Sequence, residues 1–315
     1  MRGAVMDLGS NSFKLMLAEQ MGGMLKIHFE KAFVTRIGEN LVNEGKITCV
    51  AMDRAMKVLR QCRLMIQKFQ PDVVQVVGTS ALRTAHNAGE FLTEAADILS
   101  TPIKVISGAQ EARLVYSGIV SNQHWRNADV ICLDLGGGSL EVTVGNEGEW
   151  LKGKSFAVGC VRMRDRFMTK YPLRGGEIPQ ARVFLKHEMN DFLKRISKTS
   201  ERTMLVGCGG SISTLCSIHA GYFLPTQELE GFTLTLEDIA RFAEKLSRMS
   251  LTQIRRMPAM PRNSADIMLP AAITFLYLME TLGIDQIHCA TRGLRYGVWM
   301  DWIKPFRTVE HLEKS

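Results

Sequence analysis

Two short segments carry the residue types that a phosphate-handling site needs. Asp7-Leu8-Gly9-Ser10-Asn11-Ser12 and Asp134-Leu135-Gly136-Gly137-Gly138-Ser139 each open on an aspartate, pass through glycine and close on serine. Backbone N–H groups at Gly9, Gly136, Gly137 and Gly138 can approach an anion with no Cβ in the way. Ser10, Ser12 and Ser139 add hydroxyl donors. Asp7 and Asp134 would repel phosphate directly, and they make sense if a hard divalent cation such as Mg²⁺ or Mn²⁺ sits between carboxylate and phosphate. One such loop alone reads as a β-hairpin turn. A matched pair of them, facing each other, reads as a grip on the end of a phosphate chain.

The elements around the loops repeat as well. Ala4 to Met6 and Val130 to Leu133 are apolar strands entering each loop, and Phe13 to Ala18 and Glu141 to Val144 are strands leaving it. A third strand follows in each copy, at Leu25 to Phe29 and near Trp150 to Phe156. Each copy then runs into a helix. Over 51–69, Met52, Ala55, Met56, Leu59, Cys62, Arg63 and Ile66 recur at helical spacing, and 178–196 carries a similar stripe. Strands at Val73 to Val77 and Met204 to Val206 end in small-residue turns, Gly78-Thr79-Ser80 and Gly207 to Ser211. The pattern predicts a duplicated α/β chain with a cleft between two lobes, divided as 1–122 plus 297–315 and 123–296. Ile103 to Ile106 reads as a strand and 109–122 as a helix between lobes. Helices are expected over 236–249 and 267–282, a last strand over 284–290, and a terminal helix over 294–302 folding back on the first lobe.

Bulk properties narrow the class. The 315 residues are 46% hydrophobic and 23% charged, which fits packed cores rather than disorder. Asp7, Lys14 and Glu19 interrupt the first twenty residues. No run reaches the roughly 18 apolar residues of a membrane span, so a soluble, cytoplasmic protein with no membrane partner is expected. Seven scattered cysteines without a Cys-x-x-Cys pair argue for buried thiols in a reducing compartment. The charge of +7 attracts polyanions or simply aids solubility, and no aromatic interleaving points to specific nucleic-acid binding.

Seven stretches in order then resemble the exopolyphosphatase/guanosine pentaphosphate phosphohydrolase (Ppx/GppA) family, within the actin-like ATPase superfamily. They are AVMDLGSNSFKLML at 4–17, GTSALRTAHN at 78–87, ISGAQEARLVYSGI at 106–119, LDLGGGSLEV at 133–142, SFAVGCVRMRDRF at 155–167, LVGCGGSIST at 205–214 and TRGLRYGV at 291–298. The resemblance is to short, two-domain members. It implies two duplicated actin-like (ribonuclease H-like) domains with an interdomain cleft. It also implies that Glu111 activates the attacking water, that Arg83 contacts phosphate, and that Glu141 joins Asp134 and Asp7 near the metal. Glu111 stands near a helix N-terminus, which would favour its ionised form or make it a capping carboxylate. Glu141 could face the cleft or solvent by strand alternation, and Arg83 could be a surface arginine.

The chain departs from the family pattern at Lys14, where arginine is common, at Gln110, at Leu140 in place of threonine, and at Tyr296 in place of glutamate. Lys14 keeps charge at the phosphate site but loses paired donation. The basic segment Arg162, Arg164, Arg166, Lys170 and Arg174 is either a substrate track or a partly solvated face, since on a helix 162, 166 and 170 would share one face while 164 points elsewhere. The resemblance implies hydrolysis of the terminal phosphoanhydride of polyphosphate, or of pppGpp, with a kinase and a non-catalytic sensor as competing classes. The sequence leaves oligomeric state open, a homodimer included.

Overall fold

The computed structural model describes residues 1–196 and 203–303. Residues 304–315, assigned by sequence to the first lobe, lie outside the described residues. In the first lobe β1 (Arg2–Leu8), β2 (Ser12–Met21) and β3 (Met24–Val34) form an antiparallel meander. Beside β1, β4 (Val73–Gly78) and β5 (Ile103–Val105) add in parallel. The order is β3-β2-β1-β4-β5.

The second sheet repeats this plan. It contains β6 (Val130–Leu135), β7 (Leu140–Asn146), β8 (Glu149–Phe156), β9 (Met204–Cys208), β10 (Thr233–Thr235) and β11 (Gln286–Ala290). Its order is β10-β11-β9-β6-β7-β8, with β6, β9 and β11 parallel and β10 added antiparallel at the edge. Apart from β10, the two sheets have the same strand order and sense. The two lobes are therefore duplicated α/β domains, as the sequence repeat predicts.

Local chemistry sets the main elements. The Cys49–Phe69 helix starts where the Thr48 side chain accepts from Ala51 N and stops at Gln70, whose φ is 52°. Its buried face is Ala51, Ala55, Met56, Leu59, Cys62, Ile66 and Phe69, close to the predicted stripe. Each lobe has its own apolar cluster. A third cluster joins the two sheets, with Val5, Met16 and Val77 from one and Val130, Cys132 and Val206 from the other.

Two helices run through that shared core, Gly108–Val120 and Leu294–Val298. They cross backbone to backbone. A Cβ at Gly118 would stand 2.1 Å from Gly293 O, and one at Gly297 would stand 1.8 Å from Leu114 O. The chain after Val298 does fold onto the first lobe, where the Trp299 ring covers Gly3 so closely that a Cβ there would lie 2.6 Å from it.

Three expectations change. The Cys160–Phe167 helix ends before Lys170, so residues 162, 166 and 170 share no helix face. The last strand starts at Gln286 rather than 284. Finally, 262–282 is long and apolar enough by composition to cross a membrane, contrary to the sequence reading, but 83% of that window is buried inside the second lobe. The Ala265–Leu282 helix is that lobe's central core element.

Candidate active site

The duplication places the two glycine loops as equivalent hairpin turns. Gly9 N donates to Ser12 O at 3.2 Å, and Gly136 N donates to Ser139 O at 3.0 Å. The hairpin-turn reading of each loop is therefore correct as geometry. Strand register then sets what faces the cleft: Asp7 pairs with Lys14, and Asp134 pairs with Glu141. Residues directly opposite on antiparallel strands share a face of the sheet. Lys14 in one lobe thus occupies the place of Glu141 in the other.

The loops touch across the lobes. A Cβ on Gly137 would lie 2.9 Å from Asn11 N, and one on Gly138 would lie 2.4 Å from Ser10 Oγ and 2.6 Å from Ser80 Oγ. Glycine is needed here for close approach. Ser10 Oγ also accepts from Ala81 N at 3.1 Å, tying the first loop to the turn after β4.

Between the loops lies a cavity of about 310 Å³. Asp7, Gly9, Ser10, Asn11, Ser12, Lys14, Glu111, Asp134, Gly136, Gly137, Gly138, Ser139 and Glu141 all line it. Among the sequence-predicted site residues, Arg83 alone is absent from the lining. It sits behind the wall, where Nη1 donates to Glu111 Oε2 at 2.6 Å and to Ile106 O at 3.0 Å. The lining also includes residues the sequence did not single out for the site: Thr79, Thr214 and the apolar Pro261, Ile267, Met268 and Leu294. A run of small or apolar side chains on separate helices gives no sequence signal of a shared cavity.

Four carboxylates are buried here: Asp7, Glu111, Asp134 and Glu141. Burial pushes Glu111 up to about 7; the Arg83 charge and hydrogen bond oppose this, while Asp7 and Asp134 add to it. The helix N-terminus does not keep Glu111 in the ordinary carboxylate range, because desolvation outweighs it. Glu111 is not a capping residue either. Ser107 caps the helix, and Gln110 completes a reciprocal capping box with it. Gln110 thus has a structural task that an acid would perform less neutrally.

Glu141 is raised well above the usual carboxylate range, first by burial and then by Glu111 and Asp134. Ser155 Oγ donates to Glu141 Oε1 at 2.6 Å and opposes that rise. Asp134 is raised by burial against the pull of Lys14. Lys14 is raised overall: burial lowers it, but Asp7 and Asp134 outweigh burial. Its Nζ lies 3.6 Å from Asp7 Oδ2, while Asp7 Oδ1 is buried with no hydrogen-bond partner. A third loop closes the floor. Gly209, at φ 86°, packs so that a Cβ would lie 2.7 Å from Asp134 Oδ1.

The other departures are accommodated locally. Leu140 is fully buried in the second lobe's core. Tyr296 Oη donates to Glu30 Oε2 at 3.1 Å. Of the basic segment, Arg162 donates to Gly138 O and Arg164 pairs with Asp266, while Arg166 lies over the Phe184 ring but stays exposed, as do Lys170 and Arg174.

Comparison with known proteins agrees with this geometry. The Ppx/GppA phosphatase family matches residues 16–306. A curated Haemophilus influenzae protein carrying a provisional exopolyphosphatase name is 27% identical over 308 residues, covering 98% of this chain and 93% of its own. The crystal structure of an exopolyphosphatase from Cytophaga hutchinsonii superposes with a TM-score of 0.88 at 25% identity, covering 95% of this chain and 97% of its own. An Aquifex aeolicus member of the Ppx/GppA family gives 0.80 at 26% identity, covering 98% and 99%. A match over nearly the whole length means that this chain belongs to the Ppx/GppA phosphatase family.

Proposed function

We propose that this protein hydrolyses the terminal phosphoanhydride of inorganic polyphosphate in the cytosol, releasing orthophosphate. The observation that carries the reading is Glu111, a buried carboxylate in the wall of a cavity bounded by two phosphate-type loops. With its proton affinity near neutrality it can take a proton from water and give it up again. Water then attacks the terminal phosphorus, the anhydride P–O bond breaks, and the shortened chain leaves. Backbone N–H groups at Gly9 and 136–138, the Ser10, Ser12 and Ser139 hydroxyls, Asn11 and Lys14 bind the terminal phosphate and offset charge on its oxygens. A kinase would use the same kind of base on an acceptor hydroxyl, so phosphate release in the absence of any acceptor separates the two classes.

A hard divalent cation, Mg²⁺ or Mn²⁺, fits the donor set. Asp7 Oδ1 is a buried acceptor with no partner, and Asp134 and Glu141 stand opposite each other. Among the described residues no three His, Cys, Asp or Glu side chains form a ready cluster. That suits an ion held by one or two carboxylates, waters and substrate phosphate rather than by a protein cage. Asp7 and Asp134 would hold it, with Glu141 beside them, and it would neutralise phosphate charge.

The test is phosphate release from polyphosphate, pppGpp and ATP, with and without Mg²⁺. A Glu111→Gln protein that keeps its circular dichroism and still hydrolyses polyphosphate at the parent rate sinks the assignment. The apolar side chains in the lining, among them Pro261, Ile267, Met268 and Leu294, favour a second reading, pppGpp 5′-phosphate hydrolysis, because a base can bury against them and a phosphate cannot. The ratio of kcat/KM on the two substrates decides between them.

A further inference from the structure

The segment 35–40, between β3 and the Cys49–Phe69 helix, touches the first phosphate loop on one side and the opposite lobe on the other. Thr35 N and Arg36 N donate to Asn11 O at 3.1 and 2.9 Å, and Gly38 N donates to Ser10 O at 2.8 Å. Arg36, at φ 53°, turns its guanidinium across the cleft to Asp266 and to Asn263 O, the latter at 3.0 Å. Asn40 N donates to Asp165 Oδ2 at 2.8 Å, and Glu39 Oε1 lies 3.7 Å from Arg164 Nη2. Asp266 is the hub, since its two carboxylate oxygens take Arg36 from the first lobe and Arg164 from the second.

Asp165 and Asp266 are buried, so these are not the solvated surface pairs that contribute little. Charges alternate through the network, and each member is bound by a neighbour of opposite sign. Asp266 is flanked by Ser264, Ile267 and Met268, which line the cavity. The network therefore stands at the cleft edge where the loops already touch through Gly137 and Gly138.

We propose that the 35–40 segment is an interlobe clasp, and that Asp266 is its positioning residue, setting how far the cleft opens and aligning the first phosphate loop with the second. Release of the clasp admits a phosphate chain, and its closure brings the loops together. The kinetic consequence rests on the hydrolase reading; the clasp itself does not.

Pulsed EPR distances test it in the substrate-free protein. Labels are placed at Leu64→Cys and Val183→Cys, both well exposed and on opposite lobes, in a Cys49→Ser background because the other cysteines are buried. The parent should give one short, narrow distance. Asp266→Asn, which keeps shape but removes charge, should add a longer population, and high salt should move the parent the same way. In polyphosphate hydrolysis KM should rise about tenfold with a smaller change in kcat, as expected when the closed fraction falls to about a tenth. Identical distance distributions in parent and Asp266→Asn overturn the proposal. If Asp266→Asn loses its circular dichroism, Arg36→Gln decides by the same distances. Longer distances without any hydrolysis in the parent would leave the clasp standing and remove the polyphosphatase reading.

Discussion

Arg83 Nη1 lies 2.6 Å from Glu111 Oε2, and the same nitrogen donates to Ile106 O at 3.0 Å, so the guanidinium is fixed by the strand end while it holds the carboxylate. That contact is the main force opposing burial at Glu111, whose proton affinity still reaches about 7. A base works only when ionised, so kcat/KM should rise with pH through about 7 and then level. Glu111→Gln should cost at least about 100-fold in kcat, the lower end for a general base. A stopped pH series on the parent and the variant measures both.

The same shift has the opposite consequence for stability. Glu111 moves from an ordinary 4.5 to about 7 in the folded state, so the folded protein binds the proton more tightly than the unfolded chain. Its contribution is full below about 4.5 and is lost as pH rises through about 7. Activity should therefore climb over the window in which this contribution falls. The shift corresponds to roughly 3 kcal/mol at full effect. Glu111→Gln should be more stable than the parent at pH 8 and nearly equal to it at pH 4, as read by urea melts at each pH.

Removing Arg83 takes away the main opposition to burial. Arg83→Gln should move the acidic limb of the pH–rate profile to higher pH, and Arg83→Lys should restore part of the shift. A rise in KM at unchanged limb position would instead mean that Arg83 serves phosphate directly, as the family resemblance implied.

Much of this arrangement was legible in the sequence because it is periodic or local. The two loops, the meanders around them and the stripe from Ala51 to Ile66 are patterns of short range. The mirror placement of Lys14 and Glu141 also follows from equal spacing to their aspartates, seven residues in each copy, once strand register is known. What stayed hidden depends on contacts distant in sequence. Arg83 looked like a phosphate ligand because its neighbours match a motif, whereas its position behind Glu111 depends on how a five-residue helix, Ser80–Thr84, sits on the Gly108–Val120 helix. Nor could the sequence choose between a track and a solvated face for the basic segment, because the partner of Arg164, Asp266, lies 102 residues away.

Gly297 should tolerate no side chain. A Cβ there would lie 1.8 Å from Leu114 O, a backbone atom that cannot rotate away, at the point where the two interlobe helices cross. Gly297→Ala should destabilise the fold by about 3 kcal/mol, the upper range for overpacking. Gly89→Ala, with nothing within 4 Å of the new atom, is the matched control and should be near neutral. Thermal melts of the two proteins separate steric crossing from a general glycine effect.

Asp134 and Asp7 should reveal the cation through binding as well as turnover. Asp7 Oδ1 lacks a partner, and Lys14 already neutralises part of the two aspartates. Metal binding to the folded state alone raises the melting temperature by linkage. Mg²⁺ with pyrophosphate should therefore stabilise the parent more than either alone, because an ion held by one or two carboxylates needs phosphate oxygens to complete its shell. Asp134→Asn should lose most of that joint increment while keeping the small effect of pyrophosphate alone. EDTA should abolish phosphate release in the parent, with full recovery on adding Mg²⁺. An equal joint increment in parent and Asp134→Asn would remove this aspartate from the metal site and leave Asp7 to be tested by the same titration.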